Sequence, residues 1–397
     1  MVDNHAVRLD TLVTRTDRAP GSLSDVAPAL HQTATFRAAD DATFLEMATT
    51  ARHASYYTRD GNPTISHVES LIAALEGAES CLLAASGMGA MSTAVLGLVR
   101  QGDHMVAQRT HYMGTTQLLA EVLPRFGVEV SVVDQLDSGA MEEAVTPKTR
   151  LVVVETPANP LLTLTDLAHV AQLGRRHGVL TLCDNTIGTP INQQPLRLGI
   201  DIVVHSATKF LGGHHDLMAG AIVGTRALVD QIWRSHVVLG AVADPFAGWL
   251  LMRGLRTLAL RVQRQNQTGL RIATHLATHP KVACVNYPGL TSHPQHALAT
   301  RQMPGGFGGL LSFELRGGFK AGNEFVNAMH LPARAVSFGG FESLATQPAA
   351  MWAGSIGNSA AEAAGIAPGL IRFAVGLEHP DDLLEDLDRT LAVVERK

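Results

Sequence analysis

The sequence has few cysteines, and none occurs in a pattern that marks a known chemistry. Its 397 residues include three, Cys81, Cys183 and Cys284, which are far apart and form neither a CxxC pair nor a Cys/His set. A disulfide framework is therefore not expected, and free thiols favour a cytoplasmic protein. The 18 histidines include no HExxH or comparable ligand spacing, so no metal is expected either.

Long apolar runs and an excess of basic charge are also missing. No stretch approaches the roughly 20 apolar residues of a membrane-spanning helix, and charged residues interrupt the N-terminal region, so neither a membrane span nor a signal peptide is expected. The formal net charge of −5 gives no basic surface for nucleic acid or anionic membrane. A hydrophobic content of 46% against 17% charged residues predicts a well-buried globular protein with apolar surface left for a homo-oligomer.

Strand and helix patterns alternate through the middle of the chain. Short apolar runs at residues 81–84, 105–107, 128–133, 151–155, 179–183, 200–205 and 221–223 predict strands. One intervening helix is expected over residues 165–177, with Thr165 as its cap and Gly178 at its end. This alternation predicts a mostly parallel sheet covered on both faces, with a ligand crevice at the strand ends.

The chain is longer than one hydrophobic core usually supports, and its pattern predicts three parts. Residues 1–61 predict an irregular arm that lies on another subunit, since its apolar groups have no core of their own. Residues 62–258 predict a large domain, and residues 259–397 a smaller C-terminal α/β domain. A long helix over residues 245–277 leads from one to the other, and the last helix is expected to follow Pro380.

A lysine follows the strand predicted at residues 200–205. In Ser206-Ala-Thr-Lys209 it stands beside two hydroxyl residues and shortly before Gly212-Gly213. Such a lysine can form a Schiff base with an aldehyde while Ser206 and Thr208 donate hydrogen bonds to a phosphate. A surface lysine after a strand is the ordinary alternative.

Two further strand ends carry groups that suit the same ligand. Asp184 can pair with a pyridinium nitrogen and make the ring an electron sink, although such an aspartate alone is more often a cap or a turn residue. Ser86 opens a strand-to-helix turn in which the N–H groups of Gly87 and Met88 can meet a phosphate, although a tight turn is the simpler interpretation of that motif alone. Together with Lys209, these groups indicate pyridoxal phosphate.

Asp-Asn-Thr at residues 184–186 and Ser-Ala-Thr-Lys-Phe-Leu-Gly-Gly-His at residues 206–214 resemble the Cys/Met-metabolism family of pyridoxal-phosphate enzymes. This family includes cystathionine γ-synthases, cystathionine γ- and β-lyases and methionine γ-lyases. Matching motifs continue in order from residues 57–64 to residues 370–378. The resemblance implies the fold-type I α/β architecture, pyridoxal 5'-phosphate as cofactor, and a homotetramer of two dimers with active sites shared between subunits.

The resemblance also implies roles for residues around the cofactor. Lys209 would hold the cofactor and move the Cα proton, Asp184 would face the ring nitrogen, and Tyr112 would stack on the ring and exchange a proton with the leaving group. Asn159 would bond the phenolic oxygen, supported by Glu155. The implied phosphate site comprises Ser86, Gly87, Met88, Ser206 and Thr208 of one subunit, with Tyr57 and Arg59 of its neighbour.

The substrate side resembles the family less closely. Arg372 would bind the substrate α-carboxylate, and Ser337 would lie near the lysine. Val336 stands where some cystathionine-handling lyases carry glutamate, which favours a neutral or apolar substrate tail. The chain has Met-Trp-Ala at residues 351–353, with Trp352, where the family usually has Met-Thr-His, and Gly-His-His-Asp at residues 213–216, with His215, where it usually has Gly-His-Ser-Asp.

The resemblance predicts γ-elimination from an L-amino acid with a leaving group at Cγ, giving a 2-oxo acid, ammonia and the leaving group. Methionine-like substrates come first, then homocysteine, cystathionine or an oxygen-linked analogue such as canavanine. The alternatives are γ-replacement on an activated homoserine and, third, β-elimination of cystathionine. A non-enzymatic cofactor-binding protein is a further class, but it would be expected to lack Lys209, Asp184 or Arg372, and all three are present.

Overall fold

A computed structural model describes residues 8–15, 26–353 and 365–394. Its α-helices are α1 (Leu9–Arg15), α2 (Asp41–Thr49), α3 (Pro63–Glu76), α4 (Gly87–Leu98), α5 (Met113–Gln117), α6 (Ser138–Glu143), α7 (Leu167–His177), α8 (Thr189–Asn192), α9 (Arg226–Leu239), α10 (Pro245–Leu255), α11 (Leu258–Ala277), α12 (His296–Gln302), α13 (Gly318–Ala328), α14 (Pro348–Ala353) and α15 (Pro380–Val393). Its strands are β1 (Ser80–Ala84), β2 (His104–Gln108), β3 (Glu129–Val133), β4 (Thr149–Glu155), β5 (Leu180–Asp184), β6 (Ile202–His205), β7 (Gly220–Gly224), β8 (Val282–Asn286), β9 (Leu310–Leu315), β10 (Ala333–Arg334), β11 (Leu344–Thr346) and β12 (Leu370–Ala374).

The larger sheet has seven strands in the order β1-β7-β6-β5-β4-β2-β3. Strand β7 runs antiparallel to both of its neighbours, and the remaining pairs are parallel. This confirms the predicted mostly parallel sheet. Every strand predicted for this sheet is present, with shifts of at most two residues at its ends: β4 begins at Thr149 and not at Leu151, and β6 begins at Ile202 and not at Ile200.

Apolar residues on both faces of this sheet explain its near-continuous hydrophobic strands. Leu182, Ile202 and Val204 pack with residues of α4 and α9 on one face. The alternate residue Val203 packs with α3 and α10 on the other face. Side chains of consecutive strand residues point to opposite faces, so the sheet separates two cores and leaves its carboxyl edge for the loops.

The second sheet has five strands in the order β10-β11-β12-β9-β8. Its core includes Phe313 and Phe373 of the strands, Phe325 of α13 and Leu387 of α15. The last helix begins at Pro380, as predicted, with the His379 side chain accepting a hydrogen bond from the N–H of Asp381. We keep 62–258 and 259–397 as the proposed limits of the two domains.

The long helical stretch expected over residues 245–277 is confirmed, but it consists of two helices. Residues Arg256 and Thr257 separate α10 from α11. The N–H of Thr257 donates to the carbonyl of Gly254 at 3.2 Å, a tighter turn that interrupts the helical hydrogen-bond ladder. Hydrophobic periodicity continues across this break, which is why the sequence pattern did not reveal it.

Thr165 is not the cap of α7. Asp166 is the cap, because its carboxylate accepts hydrogen bonds from the N–H groups of Ala168 and His169. Thr165 is buried, and its hydroxyl donates to Gln108 Oε1 at 2.8 Å. Both residues are good caps by type, so only the tertiary partner of Thr165 decides between them.

The N-terminal arm is more regular than expected. It contains α1 and α2, and Leu12 and Val13 are buried in the core of their own subunit. That part of the arm therefore does not depend on a neighbour for burial. Farther along, Val26, Phe44 and Leu45 are exposed, so the described residues of the arm also present an apolar outer face.

Candidate active site

The carboxyl ends of β4, β5 and β6 bring the predicted residues to one edge of the sheet. Glu155 and Asp184 are cross-strand partners, and Asp184 is also aligned with Val204. Asp184 Oδ1 accepts from the N–H of Thr186 at 2.9 Å. The hydroxyl oxygen of Thr186 accepts from the N–H of Ser206 at 2.8 Å, which links the segments after β5 and β6.

Lys209 lies in the turn after β6 and reaches the smaller sheet's connecting loop. Its Nζ donates to Ser337 Oγ at 2.8 Å and lies 5.2 Å from the centre of the Phe338 ring. Burial, together with the charge of Arg372, lowers the pKa of Lys209 to about 8. Ser337 has a φ of +87°, a left-handed conformation that is strained for a non-glycine residue and occurs most often at functional sites. A half-desolvated amine of this kind suits attack on an aldehyde.

The N-terminus of α4 forms a cradle beside this turn. Ser86 caps the helix by accepting from the N–H of Gly89 at 2.9 Å, which leaves the N–H groups of Gly87 and Met88 without intrahelical partners. A Cβ atom on Gly87 would lie 2.6 Å from Ser206 Cβ, so glycine keeps the cradle open against that serine. An anion of phosphate size fits free N–H groups at the positive end of a helix.

Thr208 is less available than the sequence suggests. Its hydroxyl donates to the carbonyl of Ala219 at 3.2 Å and accepts from the N–H of Ala219 at 3.1 Å. To donate to a phosphate, the hydroxyl must exchange its bond to that carbonyl. The phosphate contact predicted for Thr208 therefore requires a local rearrangement that Ser206 does not need.

Two acids lie side by side at the ends of strands β4 and β5. Glu155 accepts from the N–H of Tyr112 at 2.6 Å and from the N–H of Asn159 at 3.2 Å. Burial, together with the charge of Asp184, raises the pKa of Glu155. Burial also raises the pKa of Asp184, opposed by hydrogen bonds from Thr186 and by the charge of His205. Glu155 thus fixes the backbone of two predicted site residues.

A small cleft of about 50 Å³ opens beside Tyr112 and Asn159, whose backbone N–H groups Glu155 holds. It is lined by His111, Tyr112, Met113, Asn159, Pro160, Pro348, Met351 and Arg372. The cleft unites Tyr112, Asn159 and Arg372, which are far apart in the sequence and were predicted to share one site.

Arg372 is a buried cation held only by neutral groups. It donates to the Ser337 carbonyl at 3.0 Å and to Asn159 Oδ1 at 3.4 Å, and its guanidinium lies 5.8 Å from the Phe338 ring centre. Burial lowers its pKa to about 10. In the described part of the chain no carboxylate forms an ion pair with it, so a carboxylate on a ligand would supply the missing counter-charge.

Sequence reasoning missed His111, which lines the same cleft. Its side chain is buried, and among the described residues neither ring nitrogen finds a hydrogen-bond partner. Burial lowers its pKa to about 3, so the ring is neutral at ordinary pH. The only signal in the sequence was a polar ring directly before Tyr112.

The remaining predicted residues lie at the edges of this arrangement. Tyr57 and Arg59 are exposed, with the Arg59 guanidinium 5.0 Å from the Tyr57 ring centre, and no hydrogen bond or ion pair joins them to Lys209 in the described residues. Val336 is also exposed, next to Ser337. Trp352 belongs to α14, but its side chain lies outside the described residues.

The arrangement fits pyridoxal phosphate. It offers an amine of lowered pKa, a free helix N-terminus with a neighbouring serine hydroxyl, and a buried carboxylate at the adjacent strand end. The seven-stranded sheet, the second α/β sheet and this lysine site define a fold-type I pyridoxal-phosphate-dependent enzyme.

Residues 10–392 match the family described as Cys/Met metabolism PLP-dependent enzyme, and the chain belongs to that family. The chain is 46% identical over 342 residues to cystathionine gamma-synthase 1, chloroplastic, of Nicotiana tabacum, covering 86% of this chain and 63% of that protein. It is 45% identical over 338 residues to L-methionine gamma-lyase of Pseudomonas putida, covering 85% of each.

A solved structure shares the whole fold. Cystathionine gamma-lyase from Lactobacillus plantarum, complexed with L-serine, superposes with a TM-score of 0.91 at 38% identity, over 98% of this chain and 99% of that one. Within residues 8–15, 26–353 and 365–394, no helix is both long and apolar enough to cross a bilayer. The same described residues contain no cluster of three or more His, Cys, Asp or Glu side chains arranged to hold a metal ion.

Proposed function

We propose that this protein catalyses γ-elimination from an L-amino acid that carries a leaving group at Cγ, releasing a 2-oxo acid, ammonia and the leaving group. The observation that carries the proposal is that Lys209 and Arg372 both donate to Ser337, and that Arg372, which has no carboxylate partner among the described residues, lines a cleft with Tyr112. The methionine γ-lyase of Pseudomonas putida, which aligns over most of both chains, supports this activity.

Three residues of the chain bind the substrate and transfer protons. Arg372 binds the α-carboxylate through its planar fork, and Lys209 Nζ takes up the proton leaving Cα. The Tyr112 hydroxyl gives a proton to the group leaving Cγ. Bound pyridoxal phosphate supplies the aldehyde that captures the substrate amine and the ring that withdraws electrons from Cα.

Other residues hold and orient the cofactor. The N–H groups of Gly87 and Met88 and the Ser206 hydroxyl would hold its phosphate, and Ser86 caps the helix that presents these N–H groups. Thr208 would also donate to the phosphate once its hydroxyl gives up its hydrogen bond to the Ala219 carbonyl. Asp184 accepts a hydrogen bond from the ring nitrogen. Asn159, beside Arg372, donates to the ring oxygen through its amide nitrogen while its Oδ1 faces the guanidinium.

The substrate tail is neutral and short. Val336, an exposed residue next to Ser337, is apolar and offers no counter-charge to a distal ammonium, so cystathionine is expected to be a poor substrate. An uncompensated ammonium in a desolvated pocket costs on the order of a few kcal/mol, or about a hundredfold in kcat/KM. Methionine, homocysteine and an oxygen-linked analogue such as canavanine are the preferred candidates.

A panel assay tests this proposal. Purified holoenzyme is given γ-substituted amino acids, with and without an added thiol, and 2-oxo acid and ammonia are measured. Oxo-acid release without thiol is expected, with cystathionine cleaved about a hundredfold less efficiently than the best substrate and improved by Val336→Glu. Equal or better cleavage of cystathionine by the wild type would contradict this view of Val336.

The second candidate is γ-replacement on an activated homoserine. The similarity to the tobacco cystathionine γ-synthase, at 46% identity, favours it. In the same assay, replacement would appear as a thioether formed only with thiol and little oxo acid. Pyruvate and homocysteine from cystathionine would instead indicate the third possibility, β-elimination.

We also propose a cytoplasmic homotetramer of two dimers, in which Tyr57 and Arg59 reach the phosphate of the neighbouring subunit. Both residues are exposed, and among the described residues no hydrogen bond or ion pair joins them to Lys209 of the same chain, which supports this arrangement. In such a dimer, one intact site remains when a subunit lacking Arg59 pairs with a subunit lacking Lys209.

Subunit mixing therefore tests the shared sites. Verified hybrids of Arg59→Ala and Lys209→Ala chains should show about half of the wild-type activity, because both defects fall in one of the two sites and the other site is intact. Hybrids of two differently tagged Lys209→Ala chains serve as the control and should stay inactive. Verified mixed dimers without recovery would show that each site is built from one chain.

A further inference from the structure

A buried acid and a buried histidine meet underneath the candidate site. His205 Nε2 lies 2.6 Å from Glu76 Oε1, and neither side chain is exposed to solvent. Glu76 is the last residue of α3, and His205 is the last residue of β6, directly before Ser206. The pair belongs to none of the roles described above.

Glu76 behaves as a carboxylate by its contacts. Its Oε1 also accepts from Asn185 Nδ2 at 2.9 Å, so one oxygen receives two donors. Its Oε2 has no partner among the described residues, and neither has His205 Nδ1, so the short contact between Glu76 Oε1 and His205 Nε2 is what joins the two side chains. A buried carboxylate requires a nearby cation, and His205 is the group in position to provide it.

The pair is connected to the backbone of the site on both sides. Asn185 directly follows Asp184, and its N–H donates to the carbonyl of Val204 at 2.9 Å. Gln193 Nε2 donates to Asn185 Oδ1 at 2.9 Å and to the Thr156 carbonyl at 3.0 Å, next to Glu155. One carboxylate oxygen thus fixes residues adjoining the carboxyl ends of neighbouring strands.

The pair acts from the opposite face of the sheet. Asp184 is aligned with Val204, whose side chain packs toward α4, whereas the next residue, His205, points to the face covered by α3. His205 therefore does not touch the cofactor side of the sheet. A positive charge on His205 would favour the ionised form of Asp184.

We propose that Glu76 and His205 form a buried ion pair that positions Asp184 and keeps it ionised, so that it holds the pyridine nitrogen of the cofactor in its protonated form. The proposal rests on the role of Asp184 in the proposed function. Titratable groups near the pair include Cys183 of β5, a thiol whose pKa burial raises well above its ordinary value, and Glu155 of β4. The cation Arg197 lies beside Gly77, which follows Glu76, but among the described residues no hydrogen bond or ion pair joins it to Glu76, whereas His205 contacts Glu76 directly.

Nuclear magnetic resonance of pyridoxal phosphate labelled with ¹⁵N at the ring nitrogen tests the proposal in the holoenzyme. The wild type should give the signal of a protonated pyridine. His205→Gln keeps a donor near Glu76 but removes the charge, so the signal should move toward that of neutral pyridine, with pyridoxal phosphate bound about tenfold more weakly. Glu76→Gln should do the same because His205 loses its counter-ion.

The double variant Glu76→Gln/His205→Gln should match each single variant, since the pair acts as one unit.

His104→Gln is the matched control. His104 is also buried, and its ring is hydrogen-bonded to Thr149 and Ser131, but it is the first residue of β2 and not the last residue of its strand as His205 is. The cofactor's ¹⁵N signal in His104→Gln should therefore stay at the wild-type position. A structural role alone would lower the melting temperature of these variants without moving the nitrogen signal.

The variant Asp184→Asn distinguishes a failure of the Glu76–His205 ion pair from a failure of the role proposed for Asp184. If Asp184→Asn moves the signal and His205→Gln does not, the ion pair is overturned and Asp184 keeps its role. If neither variant moves it, the role of Asp184 is overturned and the inference falls with it. Should the His205 and Glu76 variants not fold, a neutron structure of the wild type decides: deuterons on both His205 ring nitrogens support the pair, and a single deuteron overturns it.

Discussion

Replacing Lys209 with alanine is expected to lower turnover by at least about 10³-fold, because the variant loses both the amine that attaches the cofactor and the base that moves the Cα proton. The fold should persist, since the side chain's hydrogen bond is to the Ser337 hydroxyl alone. Steady-state rates of 2-oxo acid release and the absorbance of the bound cofactor measure the two losses separately.

Chemical attachment gives a direct check on the same residue. Borohydride reduction of the wild type, followed by peptide mapping, should find the pyridoxyl group on Lys209. Lys148→Ala is the control, since Lys148 is exposed and forms only a 3.9 Å ion pair with Glu129. A pyridoxyl group on any other lysine would refute the assignment.

The titration of Lys209 adds a pH dependence. Only the neutral amine attacks an aldehyde, and burial together with Arg372 lowers the pKa of Lys209 to about 8. Cofactor uptake by the apoprotein should therefore quicken as the pH rises toward about 8 and level off above it. An inflection near the ordinary lysine value would mean that the amine is not desolvated in solution.

Replacing Arg372 with leucine is expected to lower kcat/KM about 10²- to 10³-fold, mainly through KM, because a carboxylate in the cleft loses its bidentate partner. The same change removes the charge that helps to lower the pKa of Lys209, so the inflection of cofactor uptake should move to higher pH. The kcat/KM of Arg372→Lys should lie between those of the wild type and Arg372→Leu, because lysine keeps the positive charge but lacks the planar guanidinium.

The decisive comparison uses an amino acid and its α-amide. The wild type should strongly prefer the acid, whereas Arg372→Leu should treat both alike. Arg334→Leu is the matched control: it lies in the same sheet but is exposed, and it donates to Asn327 Oδ1. A preference for the acid that survives in Arg372→Leu would place carboxylate recognition elsewhere.

The sequence predicted the large sheet well because its strands are short β-branched runs that end in turn residues. Strand β4 reads Thr-Arg-Leu-Val-Val-Val-Glu and is almost wholly buried, which leaves few alternatives to a central strand. Because parallel strands end at the same edge of a sheet, Asp184 and Lys209 were predicted to lie at one site. In the register of the sheet, Asp184 is aligned with Val204, which precedes the turn that contains Lys209.

Contacts between distant segments could not be predicted in the same way. The hydrogen bond from Lys209 to Ser337 joins two loops across the two sheets, and its strained serine has no sequence signature. Nothing in the sequence points to Glu76, since no local pattern distinguishes a helix-end glutamate that is buried from one in solvent. Burial of polar groups depends on tertiary packing, which periodicity does not report.

Contacts of Arg261 explain why glycine is required in the Gly212-Gly213 pair that follows Lys209. Its guanidinium donates to the carbonyl of Phe210 at 2.7 Å and to that of Gly254 at 2.8 Å, where α10 ends. Gly213 has a φ of +71°, and a Cβ atom there would collide with the guanidinium. Gly213 of the lysine motif is therefore needed for packing: it leaves room for Arg261, whose hydrogen bonds connect the turn after Lys209 to the end of α10. Transplanting the motif into another scaffold would therefore require moving this arginine with it.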